Sequence, residues 1–456
     1  MTAPLVLTIF DALVFLAVVV PFAVLIRHRG AIPKLPAVPE PVALPRLSVV
    51  VPARDEGAAI ARAVGSLLEQ DYPDLEVIVV DDRSSDATGE VLRELAAKDG
   101  RLLALRVDEL PAGWLGKNHA LWRGADRASG DWLLFTDADV VFGPGALRQA
   151  VAYAATEELD HLTLAPRLVA RGLALRAFVA FFGYAFVALW GAYLANDPKS
   201  KRGVGVGAFN LVRRSAYERI GTMRALSLRP DDDIRLGRRL RGFGFRQRIL
   251  NGNELLSVEW YPSLGAAISG LEKSMYAGLE YRVVDAVGVL LYLGATMVWP
   301  FAGVLLLGGI DRVLLGIVVA CLLAALLETY RQSMSPRLTP EALAIALLLP
   351  FSAACFGWAI VRSVYLAETR GVRWRGTTYP LSLLRAQSGL EGIAANRSRW
   401  VSRSASSASL ITSAPYAGIP RSLPRRTISL SMRPRRERSP GASPSGPWQR
   451  WQPSAK

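Results

Sequence analysis

The chain has 456 residues, 51% of them hydrophobic, and carries a formal net charge of +15. Its length allows two or three structural units, and the apolar share is high for a soluble protein. The charge does not point to nucleic-acid binding. Residues 397–456 hold eleven Arg and one Lys against one Glu, so +11 of the +15 lies in that tail. The two cysteines, Cys321 and Cys355, fall inside apolar runs and offer neither a disulfide framework nor metal spacing. In chain order, "LVLTIFDALVFLAVVVPFAVLI" at 5–26 is long enough to span a bilayer. "RHR" follows it. The basic start, short core and small-residue cleavage site of a signal peptide are missing, so residues 1–29 read as an uncleaved anchor. Residues 30–45, with five prolines, read as an extended linker.

Strand and helix signals then alternate. "RLSVVVPA", "LEVIVVDD", "RLLALRV" and "DWLLFTDAD" are strands. "EGAAIARAVGSLLEQ", "ATGEVLRELAAK" and "KNHALWRGADRA" are helices. Such alternation predicts a mostly parallel α/β sheet with helices on both faces. Ligands in such folds sit beyond the carboxyl ends of the strands. Three strands end in acidic clusters, at Arg54-Asp55-Glu56, Asp81-Asp82 and Asp137-Ala138-Asp139.

The stretch "WLLFTDADVVF" (132–142) poses the sharpest question, because an apolar strand should not carry Asp137 and Asp139 on one face. A cation between them would answer it. Oxygen ligands suit Mg²⁺ or Mn²⁺. Residues 172–195 are apolar and aromatic and read as a helix lying in the membrane interface. Residues 262–282 read as an amphipathic surface helix. Three later apolar runs, at 286–308, 313–329 and 342–362, read as membrane helices within 286–365, the middle one short for a span. Residues 366–387 form a juxtamembrane segment, and 388–456 a disordered Ser/Arg/Pro-rich tail.

In this order and spacing, "SVVVPARDE", "VIVVDDRSSDAT" and "LLFTDAD" resemble the nucleotide-binding half of family 2 glycosyltransferases, whose fold is GT-A. "LPAGWLGKNHALWRG" (110–124) and "NDPKSKRGVGVGAFNLVRRSAYERIG" (196–221) resemble the hopene-associated branch, and the first of them also carotenoid-type enzymes. The resemblance covers residues 45–285, the span of a catalytic domain at 46–285. It implies that Asp81 and Asp82 hold the base and ribose of a nucleotide sugar, with Pro52, Arg54 and Glu56 beside the donor. Asp137 would face ribose and metal, and Asp139 would ligate the metal directly. Asp232 and Asp233 match the family's acidic pair before a helix, with Asp233 as general base. Lys117 would neutralise a donor phosphate, while "GVGVGAFN" would shape the acceptor floor.

The implied protein is a multi-pass enzyme of the inner membrane with its catalytic domain facing the cytoplasm. It uses a divalent metal to move a sugar from a nucleotide-sugar donor to a polyprenyl-derived or hopanoid-like lipid in one inverting displacement. Its partners are then donor, lipid and membrane, with no nucleic acid. Polyprenyl phosphate as acceptor, or a non-catalytic membrane scaffold that retains a nucleotide-binding fold, are the competing readings. No Q-x-x-R-W motif follows the base, which argues against polymer synthesis. No His after 161 offers a third metal ligand.

Overall fold

The computed structural model describes residues 3–387 apart from 29, 31, 39–42, 335, 336 and 338. The expected disordered tail at 388–456 lies outside the described residues. The chain starts with helix α1 (Ala3–Arg27) and enters the sheet domain. There follow β1 (Leu47–Ala53), α2 (Ile60–Leu68), β2 (Leu75–Asp82), α3 (Thr88–Lys98), β3 (Leu102–Val107), α4 (Gly116–Arg127) and β4 (Trp132–Phe135). Next come β5 (Val141–Phe142), α5 (Ala146–Thr156), β6 (His161–Ala165), β7 (Arg167–Val169), α6 (Leu173–Tyr184), β8 (Asn210–Arg213) and α7 (Arg214–Arg219). The domain closes with α8 (Asp232–Gly242), β9 (Gln247–Asn251), β10 (Leu256–Glu259) and α9 (Leu264–Gly278).

The main sheet has the order β3-β2-β1-β4-β8-β6-β9. β8 pairs antiparallel with both neighbours, and every other pairing is parallel. The expected mostly parallel α/β fold is thus present. Alternation along β1 feeds two cores. Val49 and Val51 join Ile60, Val64 and Leu92 on one face, while Val50 joins Ala120, Leu121, Leu236 and Leu240 on the other. Each fully buried Val or Leu contributes about 1.5–3 kcal/mol, so burial on both faces fixes strand position and register.

The sequence predicts a strand that continues through Asp137 and Asp139, and the structure corrects this. β4 stops at Phe135, Asp137 and Asp139 stand in a turn, and β5 pairs in a separate small sheet with β10. The chain turns out of the sheet here, so both carboxylates line a cleft at the strand ends instead of the sheet's apolar interior.

After the domain come α10 (Val283–Leu293), a π-helical turn, α11 (Trp299–Leu306), α12 (Gly309–Ser333), α13 (Pro340–Leu347), α14 (Leu349–Arg370) and a hairpin of β11 (Val372–Trp374) and β12 (Thr377–Tyr379). Among the described residues, four helical segments are long and apolar enough to cross a membrane: Pro4–Arg27, Val283–Leu306, Gly309–Ser333 and Leu349–Arg370. The middle run, expected to be short, is a 25-residue helix. Both ends of the bundle meet the sheet domain. Asn251 and Asn253 donate through Nδ2 to the Gln332 carbonyl at the end of α12 (2.9 and 2.6 Å). The last turns of α14 lie on α9, where Arg362 reaches Glu272 (2.5 Å) and Tyr276 reaches Glu368 (2.6 Å). α10–α11 therefore leaves the domain and α12 returns to it. α13 and α14 leave and return as a pair.

Candidate active site

The carboxyl ends of β1, β2 and β4, the start of α8, helix α9 and the β11–β12 hairpin surround a cavity of about 420 Å³. Pro52, Arg54, Glu56, Asp82, Lys117, Asp137, Asp139, Asp232 and Asp233 all line it. Asp81 does not. Neighbours on a pleated strand face opposite ways, so Asp82 follows Val80 toward α4 and Asp81 turns toward α3. There Asp81 accepts from the Ser84 amide (3.0 Å) and pairs with Arg106 (2.7 Å). Asp82 pairs with Arg83 (2.8 Å) and faces Arg54 (3.7 Å). A methyl at Gly116 would stand 2.1 Å from its Oδ2, so only glycine lets the start of α4 come this close.

Lys117 holds the acidic side together. Its Nζ lies 2.8 Å from Asp137 Oδ1 and 3.6 Å from Asp232 Oδ1. Burial works to lower the Lys117 pKa, and the carboxylates of Asp137, Asp232 and Asp233 override it, so the ammonium is held firmly charged. Burial likewise works to raise Asp137, and Lys117 overrides it to leave that carboxyl below its usual range. Asp139 gets much less relief from Lys117. Burial, Asp137 and Glu56 push it up to about 7. Burial and the neighbouring acids also raise Asp232 and Asp233, against the pull of Lys117.

The glycine-rich loop before β8 serves α8 directly. The Gly207 amide donates to Asp233 Oδ2 (2.8 Å). A methyl on Gly207 would stand 2.6 Å from Asp137 Oδ2 and 3.3 Å from Asp233 Oδ2. Gly203, Gly205 and Gly237 let the loop lie against the α8 backbone, with added methyls meeting carbonyl oxygens at 2.1–2.3 Å. The glycines expected under the acceptor thus seat the acidic pair. Gly207→Ala should therefore cost about 1–3 kcal/mol of stability through overpacking. Gly65→Ala, in α2 with nothing within 4 Å, should gain about 0.5–1 kcal/mol. Thermal unfolding of both variants in detergent tests the opposite signs.

Several cavity residues carried no local signal. Asp231 is locked between Arg229 (2.9 Å) and Arg235 (2.8 Å), which fixes the entry to α8. Lys273, on the helix read as a surface element, faces the cavity with its Nζ 4.5 Å from the centre of the Trp374 ring. Arg375 reaches back from the hairpin to Glu56 (2.6 Å) and to the Arg54 carbonyl (2.6 Å). Their separation in sequence hid them. His119 stacks between Trp114 and Trp122 and does not line the cavity. His161 is a core residue bonded to Asn210 (3.1 Å).

Among the described residues no group of three or more His, Cys, Asp or Glu forms a complete metal cage. The donor set still fits a hard divalent cation that shares its shell with substrate phosphates. Asp137 and Asp139 supply oxygens, and Asp139 is raised because burial and the charges of Asp137 and Glu56 outweigh the pull of Lys117. Arg54 Nε, buried without a hydrogen-bond partner, is a further unsatisfied donor.

A mostly parallel sheet whose strand ends gather carboxylates and cations around one cleft, beside a bundle of apolar helices, places the protein in the α/β class. Residues 48–221 match the family model described as Glycosyl transferase family 2. Among curated relatives, the GalNAc(5)-diNAcBac-PP-undecaprenol beta-1,3-glucosyltransferase of Campylobacter jejuni is 36% identical over 104 residues, 23% of this chain and 33% of that protein. The 4,4'-diaponeurosporenoate glycosyltransferase of Staphylococcus haemolyticus is 38% identical over 94 residues, 21% of this chain and 24% of that protein. The chain thus spans about a third or less of the length of these relatives. A mannosyltransferase from Pyrobaculum calidifontis, solved with GDP-Man and Mn²⁺, superposes with a TM-score of 0.46 at 18% identity, covering 80% of this chain and 99% of that one.

Proposed function

We propose that this protein moves a sugar from a nucleotide-sugar donor to a membrane lipid in a single inverting displacement. One observation carries the reading: Lys117, Asp137, Asp139 and Asp233 share a cavity whose opposite wall is apolar and joins the helix bundle. Phe182, Trp260, Leu271 and Met275 form that wall and pack in one cluster with Phe356 and Ala359 of α14. A lipid acceptor would reach the acidic side without leaving apolar surroundings.

The donor's base and ribose would lie by Asp82, Arg54 and Pro52, with its diphosphate toward Lys117, Lys273 and Arg375. A divalent cation held by Asp137 and Asp139 would offset the negative charge growing on the departing diphosphate. Asp233, fixed by the Gly207 amide and raised toward neutrality, would accept the proton of the attacking hydroxyl. Attack opposite the leaving group inverts the anomeric centre and needs no second nucleophile. A phosphate nucleophile would meet the Asp232–Asp233 pair as a like charge, which favours a hydroxyl-bearing acceptor of polyprenyl-derived or hopanoid-like type over polyprenyl phosphate.

Calorimetry of UDP and GDP on the purified protein tests the reading. Binding should require Mn²⁺ and weaken about tenfold between pH 8 and pH 6, as a proton competes for Asp139 near pH 7. Absence of nucleotide binding would leave the scaffold reading.

The orientation has its own test. Trp374, Arg375 and Tyr379 line the same cavity as Arg54 and Asp139, so the basic segment after α14 shares a side with the catalytic residues. With α13–α14 returning as a pair, Arg27, "RGVRWRG" and the domain all fall on the positive, cytoplasmic side. Reporters fused after Arg331 and after Gln387 should both read as cytoplasmic. A periplasmic signal from the second alone would contradict the returning pair.

A further inference from the structure

A second cavity of about 330 Å³ opens behind the first, and Trp190 and Ile234 line both. Three cations face it, Lys201, Arg202 and Arg238, and no carboxylate lines it. The Arg238 guanidinium stands 5.6 Å from the Trp190 ring centre. Arg202 spends one donor on the Trp190 carbonyl (2.8 Å), which leaves others for a ligand. Burial followed by the charge of Arg235 holds Arg238 below the usual guanidinium range, against the opposing pull of Asp231 and Glu280.

The place of this cavity identifies the kind of anion. Phe186, on its wall, belongs to the π-helical turn that continues α6. In the same turn Ala188 and Leu189 pack against Phe22 and Leu25, in the last turns of α1. Tyr193 stacks on His28 just beyond that helix (5.3 Å between rings). A basic, aromatic-walled cavity thus lies level with the end of an apolar 24-residue helix, where lipid headgroups meet water.

Ile234, Arg238 and Gly242 lie four residues apart and form one stripe of α8. Asp233 begins that helix on the other cavity. At 1.5 Å per residue, Arg238 sits about 7.5 Å further along the axis than Asp233. We propose that the second cavity holds the phosphate group of the acceptor lipid while a hydroxyl of the same molecule lies at Asp233. This rests on the glycosyltransferase reading of the neighbouring site. The acceptor would carry two features in one molecule, a neutral nucleophile and an anion one to two helical turns away.

The experiment uses the full chain in detergent and calorimetry with farnesyl phosphate, farnesol, inorganic phosphate and dioctanoyl phosphatidylglycerol. Farnesyl phosphate should bind, and farnesol and inorganic phosphate should not bind at the same concentrations. Arg238→Gln should weaken farnesyl phosphate at least tenfold and the exposed Lys201→Gln severalfold, while Arg238→Lys restores most of the affinity. UDP affinity should stay unchanged in all three, which separates this cavity from the donor site. Loss of UDP binding in the unaltered protein would instead count against the enzymatic reading alone. Equal binding of farnesol, or unchanged farnesyl phosphate affinity in Arg238→Gln, would overturn the proposal. Phosphatidylglycerol, which carries a phosphate and free hydroxyls in one molecule, should also bind, and its failure to bind where farnesyl phosphate saturates would count against the two-feature acceptor.

Discussion

Asp233→Asn should lower kcat by about 10²–10⁴-fold, the range for losing a general base, while nucleotide affinity stays within about twofold. The split follows from position. Asp233 Oδ2 accepts from the Gly207 amide, and an Asn oxygen can accept the same bond, so the loop and the first turn of α8 keep their places. What the amide cannot do is take a proton from the attacking hydroxyl. Asp231→Asn makes the informative contrast. Asp231 answers two arginines, and with its charge removed the buried Arg229 guanidinium loses its carboxylate partner at 2.9 Å. That variant should lose stability as well as rate. Steady-state kinetics beside a nucleotide titration separates the two cases; full turnover by Asp233→Asn removes the base assignment.

Lys117→Met should be the most damaging change to the site's stability. Met has similar length and no charge, so packing survives while Asp137 and Asp232 lose the ammonium at 2.8 and 3.6 Å. Breaking a largely buried ion pair from one side costs about 3–5 kcal/mol, and the partly open cavity places the expected loss near the lower end, about 3 kcal/mol. The sign with pH is fixed. Without Lys117 the carboxyls are raised in the folded state relative to the unfolded chain. Their penalty is therefore full at pH 8, above the folded pKa, and relieved as pH falls through it and protons neutralise them. The variant should melt at a higher temperature at pH 5.5 than at pH 8. A profile parallel to that of the unaltered protein would mean that Lys117 does not hold the acids together.

Much of this arrangement was legible in the sequence because it obeys short-range rules. "SVVV", "VIVV" and "WLLF" are buried on both faces of a sheet, and their continuous apolar character predicts parallel strands. Acidic residues at the ends of such strands share one edge, which brings Asp82 and Asp139 to the same cleft. Asp233 joined them through the order of motifs, since nothing in "PDDDIRLGRRLR" alone sets it apart from a charged surface helix. The same rules, pressed further, would have separated Asp81 from Asp82, because adjacent residues of a strand face opposite ways.

What stayed hidden depends on contacts across the chain. Arg375 meets Glu56 across 319 residues, and Lys273 lies on a helix whose pattern describes only which side is apolar. The role of the "GVGVGAFN" glycines was missed for a related reason. A glycine's value here is the carbonyl or carboxylate 2–3 Å from where its side chain would be, and that neighbour comes from α8 for Gly203 and Gly205 and from Asp137 for Gly207.

The most direct test of the central claim is mass spectrometry of lipids after incubating the purified, reconstituted protein with nucleotide sugars, Mn²⁺ and a membrane lipid extract. The account predicts one lipid species heavier by a single sugar residue, an equal amount of nucleoside diphosphate, and neither product with Asp139→Asn or Asp233→Asn. A ladder of successive sugar additions, or nucleoside diphosphate released with free sugar and no modified lipid, would contradict it.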